Sequence, residues 1–447
     1  NLSNDTYKLG GSSFAQSLGK IGTAVPTIQS TEKFANAFNT VQNLIKADKI
    51  KAGHDISAGG MLTTLLEMCF ADNNISANIN LTALAEEDNI KLLFSENAGL
   101  IFQADSSVEK ILAENNVAFF SIGNVTTGEQ LTIKNGDNLF SFEVPKLRND
   151  WYETSYLLDS KQCANDKAKD RFENYSKQAL EYTFPKHFTG KLPNIEGKKG
   201  IKAAIIREKG SNSEREMAHA MFLAGFDVKD IHMTDLISGR ENLEDIQFIG
   251  AVGGFSNSDV LGSAKGWAGA FKYNEKAKSA LDNFFAREDT LSVGICNGCQ
   301  LFMELELINP EHKEHGKMLH NDSMKHESGF TSVTVEENNS IMLNSLEGST
   351  LGVWISHGEG KFHLPNNEKD YNITAKYAYE AYPANPNGSD YNVAMLNSKD
   401  GRHLVMMPHI ERSIFQWNWA NYPAGRQDEV SPWLEAFGNA FAWLEKK

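Results

Sequence analysis

Among 447 residues there are only four cysteines and 11 prolines, and Lys and Arg (43) are outnumbered by Asp and Glu (58). So few cysteines cannot form the disulfide framework of a small secreted domain. The deficit of positive charge, a net −15, disfavours non-specific attraction to nucleic acid or an anionic membrane, so an anionic ligand must be met locally. No apolar run approaches the roughly 18 residues of a membrane span, and the N-terminus lacks the basic start and apolar stretch of a secretory signal. These absences predict a cytoplasmic protein with neither a membrane nor a nucleic-acid partner. What is present is a globular composition, 41% apolar and 23% charged, in a length that suits two large domains or three smaller ones. The first residue is Asn1, not Met, in a loop-like stretch, which points to a piece of a longer protein.

Residues 1–145 mix helical and strand patterns. A strand-like segment, 50–54, leads through Asp55, Ser57, Gly59 and Gly60 into Met61, Leu62, Leu65, Leu66, Cys69 and Phe70, which share one helix face, so Cys69 is a core residue. Further strands are expected at 90–94, 99–103 and 118–125, and Asn135-Gly136 reads as a hairpin turn. This is an α+β pattern. Over 146–199 the composition turns polar, with Cys163, Pro185, Pro193 and Gly197, as in a linker or small helical connector where Cys163 has no catalytic role.

From Gly200 onward, short apolar strands at 203–206, 226–231, 248–252 and 291–295 alternate with helices. One helix opens on Ser213 and Glu216 as a capping box and stops at Gly225; another lies around 275–287. Such alternation over 200–447 predicts an α/β, doubly wound parallel sheet, whose ligands bind at the carboxyl ends of strands. Gly253-Gly254 and Cys296 both fall at such ends.

Gly294-Ile295-Cys296-Asn297-Gly298-Cys299-Gln300 follows an apolar strand and precedes a helix-like run. That is the strand, tight turn and helix of a nucleophile elbow, in which the helix dipole and free amide N–H groups favour negative charge on Cys296. Two other chemistries fit part of the pattern: a Cys-x-x-Cys redox pair, or a zinc site drawing on His312, His315, His320 or His326. Simple burial of both thiols suits Cys299, behind the turn, better than Cys296. The glycine frame favours a single nucleophile at Cys296. Such a nucleophile needs a base and something to orient it. After the strand at 403–407, His409 and Glu411 stand two apart, and in extended backbone they point the same way, so the carboxylate can hold the imidazole tautomer.

Elbow and distal His-x-Glu together resemble the class I, triad-type glutamine amidotransferases. Gly253-Gly254-Phe255-Ser256, Asp259-Val260-Leu261-Gly262, Ser356-His357-Gly358-Glu359-Gly360 and the run 382–389 are similar to the glutaminase domain of the large single-chain formylglycinamidine ribonucleotide synthases. Upstream, Leu9-Gly10-Gly11-Ser12 and His54-Asp55-Ile56-Ser57 with Gly59-Gly60 resemble the end of that family's synthetase region, a fold shared with the C-terminal domain of aminoimidazole ribonucleotide synthase. The resemblance implies a synthetase end over 1–145, a connector over 146–199 and a flavodoxin-like glutaminase over 200–447. It implies that Cys296 attacks glutamine to give a thioester and ammonia, that His409 shuttles protons and that Glu411 orients it. Gly254 and Asn297 would supply the oxyanion hole, and Gln300, Ser356, His357, Gly358 and Glu359 would bind glutamine. It also implies ATP and Mg2+ in the full enzyme, with Asp55 as a magnesium-nucleotide ligand, and none of these for glutamine hydrolysis itself. The partner would be the missing N-terminal synthetase half. The chain departs from the family pattern at Ile410, usually proline, at Asn257-Ser258, usually Tyr-Gly, and at Ala58, usually acidic. A Cys-His hydrolase or peptidase on the same fold, or a non-catalytic regulatory fragment, are the other readings.

Overall fold

The computed structural model describes residues 1–195 and 200–447; Gly197, counted above with the connector, lies outside them. The chain divides into two compact units, Asn1–Ser155 and Tyr156–Lys447. Among the described residues no helix is long and apolar enough to cross a membrane.

Six strands build the first unit: β1 (Ile50–Ile56), β2 (Ile75–Asn80), β3 (Gly99–Ala104), β4 (Gly123–Thr127), β5 (Gln130–Asn135) and β6 (Asn138–Glu143). β1 pairs antiparallel with β3, and the rest form a sheet in the order β4-β2-β5-β6. The helix Gly60–Cys69 places Met61, Leu62, Leu65, Leu66 and Cys69 against Leu81, Leu92, Leu131 and Ile133. Gly136 takes the positive φ, 58°, that the two-residue loop between β5 and β6 requires. Residues 90–94, expected as a strand, are instead helical (Asn89–Phe94): Asp88 accepts from the N–H groups of Ile90 and Lys91, and so short a segment has no period to oppose that cap. The strand expected over 118–125 starts only at Gly123, because its partner β2 ends at Asn80, whose N–H already meets the Ile122 carbonyl.

The connector stretch holds the latter part of the helix Val144–Asp159 and the helix Lys167–Asn174. Within the second unit Arg171 bonds Asp159, Glu327 (2.8 Å) and the Tyr382 hydroxyl, and Lys325 reaches Asp159 at 2.5 Å.

The second unit contains β7 (Lys202–Arg207), β8 (Asp227–His232), β9 (Phe248–Ala251), β10 (Leu291–Ile295), β11 (Lys317–Leu319), β12 (Glu327–Val335), β13 (Thr350–His357), β14 (Lys361–His363), β15 (Asn372–Tyr377), β16 (Val393–Asn397) and β17 (His403–Met406). β11 pairs with β14; the others form one sheet in the order β13-β12-β15-β16-β17-β10-β9-β7-β8. From β17 to β8 all neighbours are parallel, and from β17 to β13 all are antiparallel. Read in chain order, the parallel part runs second, first, third, fourth, fifth, the flavodoxin-like order. β9 and β10 are buried at every residue, as central parallel strands covered by helices on both faces must be. Ser213 does precede the helix Glu214–Ala224, but at φ 66° and without a side-chain bond, so the expected capping box is absent: a capping serine needs extended backbone to turn its oxygen onto the helix. Gly225 ends that helix at φ 111°.

Candidate active site

Cys296 stands between β10 and the helix Asn297–Glu304, at φ 53° and ψ −105°. Few non-glycine residues adopt such a backbone, which costs on the order of 1–3 kcal/mol and is offset by the surrounding structure. That structure is visible. The Cys296 N–H donates to the Met406 carbonyl of β17 at 2.8 Å, and its carbonyl accepts from the Gln300 N–H at 3.0 Å. Gly298 lets the helix press against β9: a Cβ there would lie 2.0 Å from the Ala251 carbonyl oxygen. The thiol donates to the Ser356 carbonyl at 3.4 Å. Cys299, by contrast, is wholly buried, and burial, then the neighbouring Cys296, pushes its thiol well above the ordinary value. It is a core group.

His409 approaches from the end of β17. Its N–H donates to the Trp354 carbonyl of β13 at 2.8 Å, and Gly253 clears the space its ring occupies, since a Cβ there would sit 2.8 Å from Cε1 and 3.4 Å from the Cys296 Cβ. Nδ1 meets Glu411 Oε1 at 2.6 Å, and the opposite edge of the ring lies beside Cys296, the two side chains meeting over Gly253. The contact expected between His409 and Glu411 is there, but not for the expected reason. Glu411 lies inside a short 3-10 turn, Ile410–Arg412, so a turn and not extended backbone folds the carboxylate onto the imidazole. Both side chains are buried. Burial works against a charged imidazole, yet the Glu411 carboxylate and the nearby Cys296 outweigh it and push His409 up to about 9. Burial likewise favours neutral Glu411, and the charge of His409 overrides it, holding the carboxyl below its usual value. The two therefore form a buried ion pair, with Arg412 Nε 3.9 Å from the same carboxylate oxygen.

Beside Cys296 opens a cavity of about 250 Å³, with Gly254, Gln300, Ser356, His357, Gly358 and Glu359 in its wall. Among the described residues, neither the Gly254 nor the Asn297 N–H is spent on a backbone acceptor, and Gly254 has φ 119°. The Gln300 amide is occupied: it donates to the Glu359 carbonyl at 2.7 Å and accepts from Asn297 Nδ2 at 2.9 Å, which ties the Glu359 loop to the elbow. His357 gives its Nδ1 hydrogen to Asn321 Oδ1 at 3.1 Å; burial first, then the charges of His409 and His326, lower it to about 3, so it stays neutral. Sequence reasoning missed Asn321, Asp259, Ser263 and Lys325. Asn321 holds the 357–360 turn through Gly360 N–H and the His357 carbonyl, and no local pattern announces that role. His320 and His326 line the cavity, but among the described residues no three His, Cys, Asp or Glu side chains are grouped to hold a metal. Asp55, in the first unit, is a single carboxylate with 69% of its side chain exposed, 3.5 Å from His54.

A family model for the CobB/CobQ-like glutamine amidotransferase domain matches residues 200–444, and one for the C-terminal domain of AIR synthase related proteins matches residues 6–134. A probable phosphoribosylformylglycinamidine synthase of Arabidopsis thaliana is 38% identical over 99% of this chain and 33% of its own length. The phosphoribosylformylglycinamidine synthases of Homo sapiens and Dictyostelium discoideum are 36% and 35% identical, over 99% and 98% of this chain and 36% of their own lengths. The chain thus spans about a third of the curated relatives it matches. With a glutaminase elbow, a buried His-Glu pair and a domain match across more than half its residues, the chain belongs to the family of CobB/CobQ-like glutamine amidotransferase domains.

Proposed function

We propose that residues 200–447 hydrolyse glutamine through Cys296, His409 and Glu411, and that the ammonia serves ATP-dependent conversion of formylglycinamide ribonucleotide to formylglycinamidine ribonucleotide in a larger cytoplasmic enzyme. The observation that carries this reading is His409, bonded to Glu411 through Nδ1 and set beside Cys296 over Gly253. The sulfur attacks, as the thiolate beside protonated His409, the side-chain carbonyl carbon of glutamine. The resulting oxyanion is received by the N–H groups of Gly254 and Asn297, whose freedom from backbone acceptors supports that role. As the C–N bond breaks, protonated His409 gives its proton to the leaving nitrogen, and ammonia departs from a glutamyl thioester. Water, deprotonated by His409, then attacks the thioester; glutamate leaves, and the Cys296 thiolate is restored beside protonated His409. Ser356, His357, Gly358 and Glu359 bind the substrate, with Gln300 holding the Glu359 loop in place.

Residues 1–145 would end the synthetase region, joined through 146–199. ATP and magnesium belong to that region. Asp55 offers only one ligand to a magnesium ion, so no step is routed through it. The isolated chain is expected to release glutamate weakly and to complete no amidotransfer. The test is glutamate release and thioester capture by mass spectrometry for the wild type, Cys296→Ser and Cys299→Ala, with and without the synthetase part. Loss confined to Cys296→Ser, by about 10⁴-fold or more, is expected. Equal loss in both variants, or turnover untouched by Cys296→Ser, overturns the assignment.

A further inference from the structure

The cavity beside Cys296 contains two carboxylates. Asp259 and Glu359 both line it, and its lysine, Lys325, is already bound to Asp159. Ser263 holds the two acids together: its hydroxyl donates to Asp259 Oδ2 at 3.1 Å and its backbone N–H to Glu359 Oε2 at 3.2 Å. The remaining Asp259 oxygen, Oδ1, is buried without a hydrogen-bond partner. Burial raises the Asp259 carboxyl, the Ser263 hydroxyl opposes the rise, the charge of Glu359 adds to it, and the Ala264 N–H opposes it. A second buried acceptor in this cavity is also unfilled. His357 is 2% exposed, its Nδ1 donates to Asn321, and Nε2, left as an acceptor, has no partner. Acceptors without donors at a cavity wall call for a ligand that is positively charged and rich in N–H.

We propose that Asp259, with Glu359, receives the α-ammonium group of glutamine and so makes the site specific for the free amino acid. This rests on the glutaminase reading given above and adds a residue to it. The cavity then has a reacting end at Cys296 and an acidic end at Asp259. A glutaminyl side chain within a peptide, whose α-nitrogen is an uncharged amide, would leave both carboxylates unpaired and be rejected.

The test compares the rate at which Cys296 is alkylated by the diazoketone analogue of glutamine and by its des-amino counterpart, with iodoacetamide as a probe that needs neither group. The wild type should react at least about tenfold faster with the amino compound, the factor that 1.4 kcal/mol of differential binding gives. Asp259→Asn should remove most of that preference while leaving des-amino and iodoacetamide labelling unchanged, and Asp259→Glu should restore part of it. Equal reactivity of the wild type toward both diazoketones overturns the proposal without any variant. So does an Asp259→Asn protein that slows all three reagents alike, which would mark Asp259 as a support of the loop. Labelling of Cys296 by iodoacetamide but by neither diazoketone sinks the glutaminase reading itself, and this proposal with it.

Discussion

In the nine-stranded sheet, the parallel strands β9 and β10 are buried at every residue, whereas the antiparallel strands β12 and β13 mix buried positions with half-buried and exposed ones. The parallel half carries Cys296 at the end of β10 and brings His409 in behind β17. The antiparallel half contributes groups around them: the Trp354 carbonyl that pins His409, the Ser356 carbonyl that faces the thiol, and the 357–360 turn that walls the cavity. The proposed reacting atoms thus sit on the fully buried part of the sheet and the proposed substrate wall on the more exposed part. Rate and affinity should be separable by mutating one half or the other.

The largest effect belongs to the parallel side. Glu411→Gln should lower the rate of thioester formation by about 10²–10⁴-fold, as when an imidazole loses the carboxylate that orients it. In the wild type, activity should fall as pH rises through about 9, where His409 loses its proton, and in Glu411→Gln that limb should move to lower pH. Stability follows the same pair. A histidine whose pKa is raised on folding contributes fully below its ordinary 6.5 and loses that contribution as pH climbs through about 9; Glu411, held low, contributes fully above 4.5 and loses it as pH falls. Denaturant unfolding of the wild type against His409→Asn should therefore differ most between those two ordinary values and converge in alkali.

Leu351→Ala, at a wholly buried position of β13, should cost about 2–5 kcal/mol and raise KM more than it lowers kcat, which sets the antiparallel half apart if unfolding and kinetics are measured together. Gly298→Ala should cost about 1–3 kcal/mol or more, because the new methyl meets a backbone oxygen that cannot move aside, and it should slow Cys296 alkylation as the elbow shifts. The smallest change is expected for Asp159→Asn. Freeing Lys325 from its partner should weaken glutamine binding severalfold with kcat unchanged, and an unaltered KM would show that the 320–326 wall needs no such tether.

Much of the parallel half was legible because most of its strands are short apolar runs closed by a glycine or polar turn, and because the glycines around Cys296 have a steric reason to be there. Residues 90–94 were misread for want of length: five residues, four of them apolar, suit either a strand or a helix, and the deciding Asp88 lies outside the run. Ser213 and Glu216 have the spacing of a capping box, but the left-handed backbone at Ser213 is set by tertiary packing that spacing does not reveal. His409 and Glu411 were paired correctly through the wrong conformation, since two residues apart also suffices in a tight turn. The antiparallel strands inserted between β10 and β17 went unread beyond their motif. Asn321, Ser263 and Asp259 reach the site from loops far from Cys296 in the chain, and one sequence alone carries no record of such meetings.

The bond from the Cys296 N–H to Met406 has one more consequence. β10 and β17 are in fixed register, Ile295 opposite Met406, and His409 follows three residues after Met406. A slip of one residue would displace the base by about 3.3 Å, more than a hydrogen bond can span. Strand pairing therefore acts as a gauge block that sets the gap between Cys296 and His409. A gauge made of the core cannot be opened without unzipping the sheet, so on the proposed function any on-off control would act at the mouth and wall of the cavity.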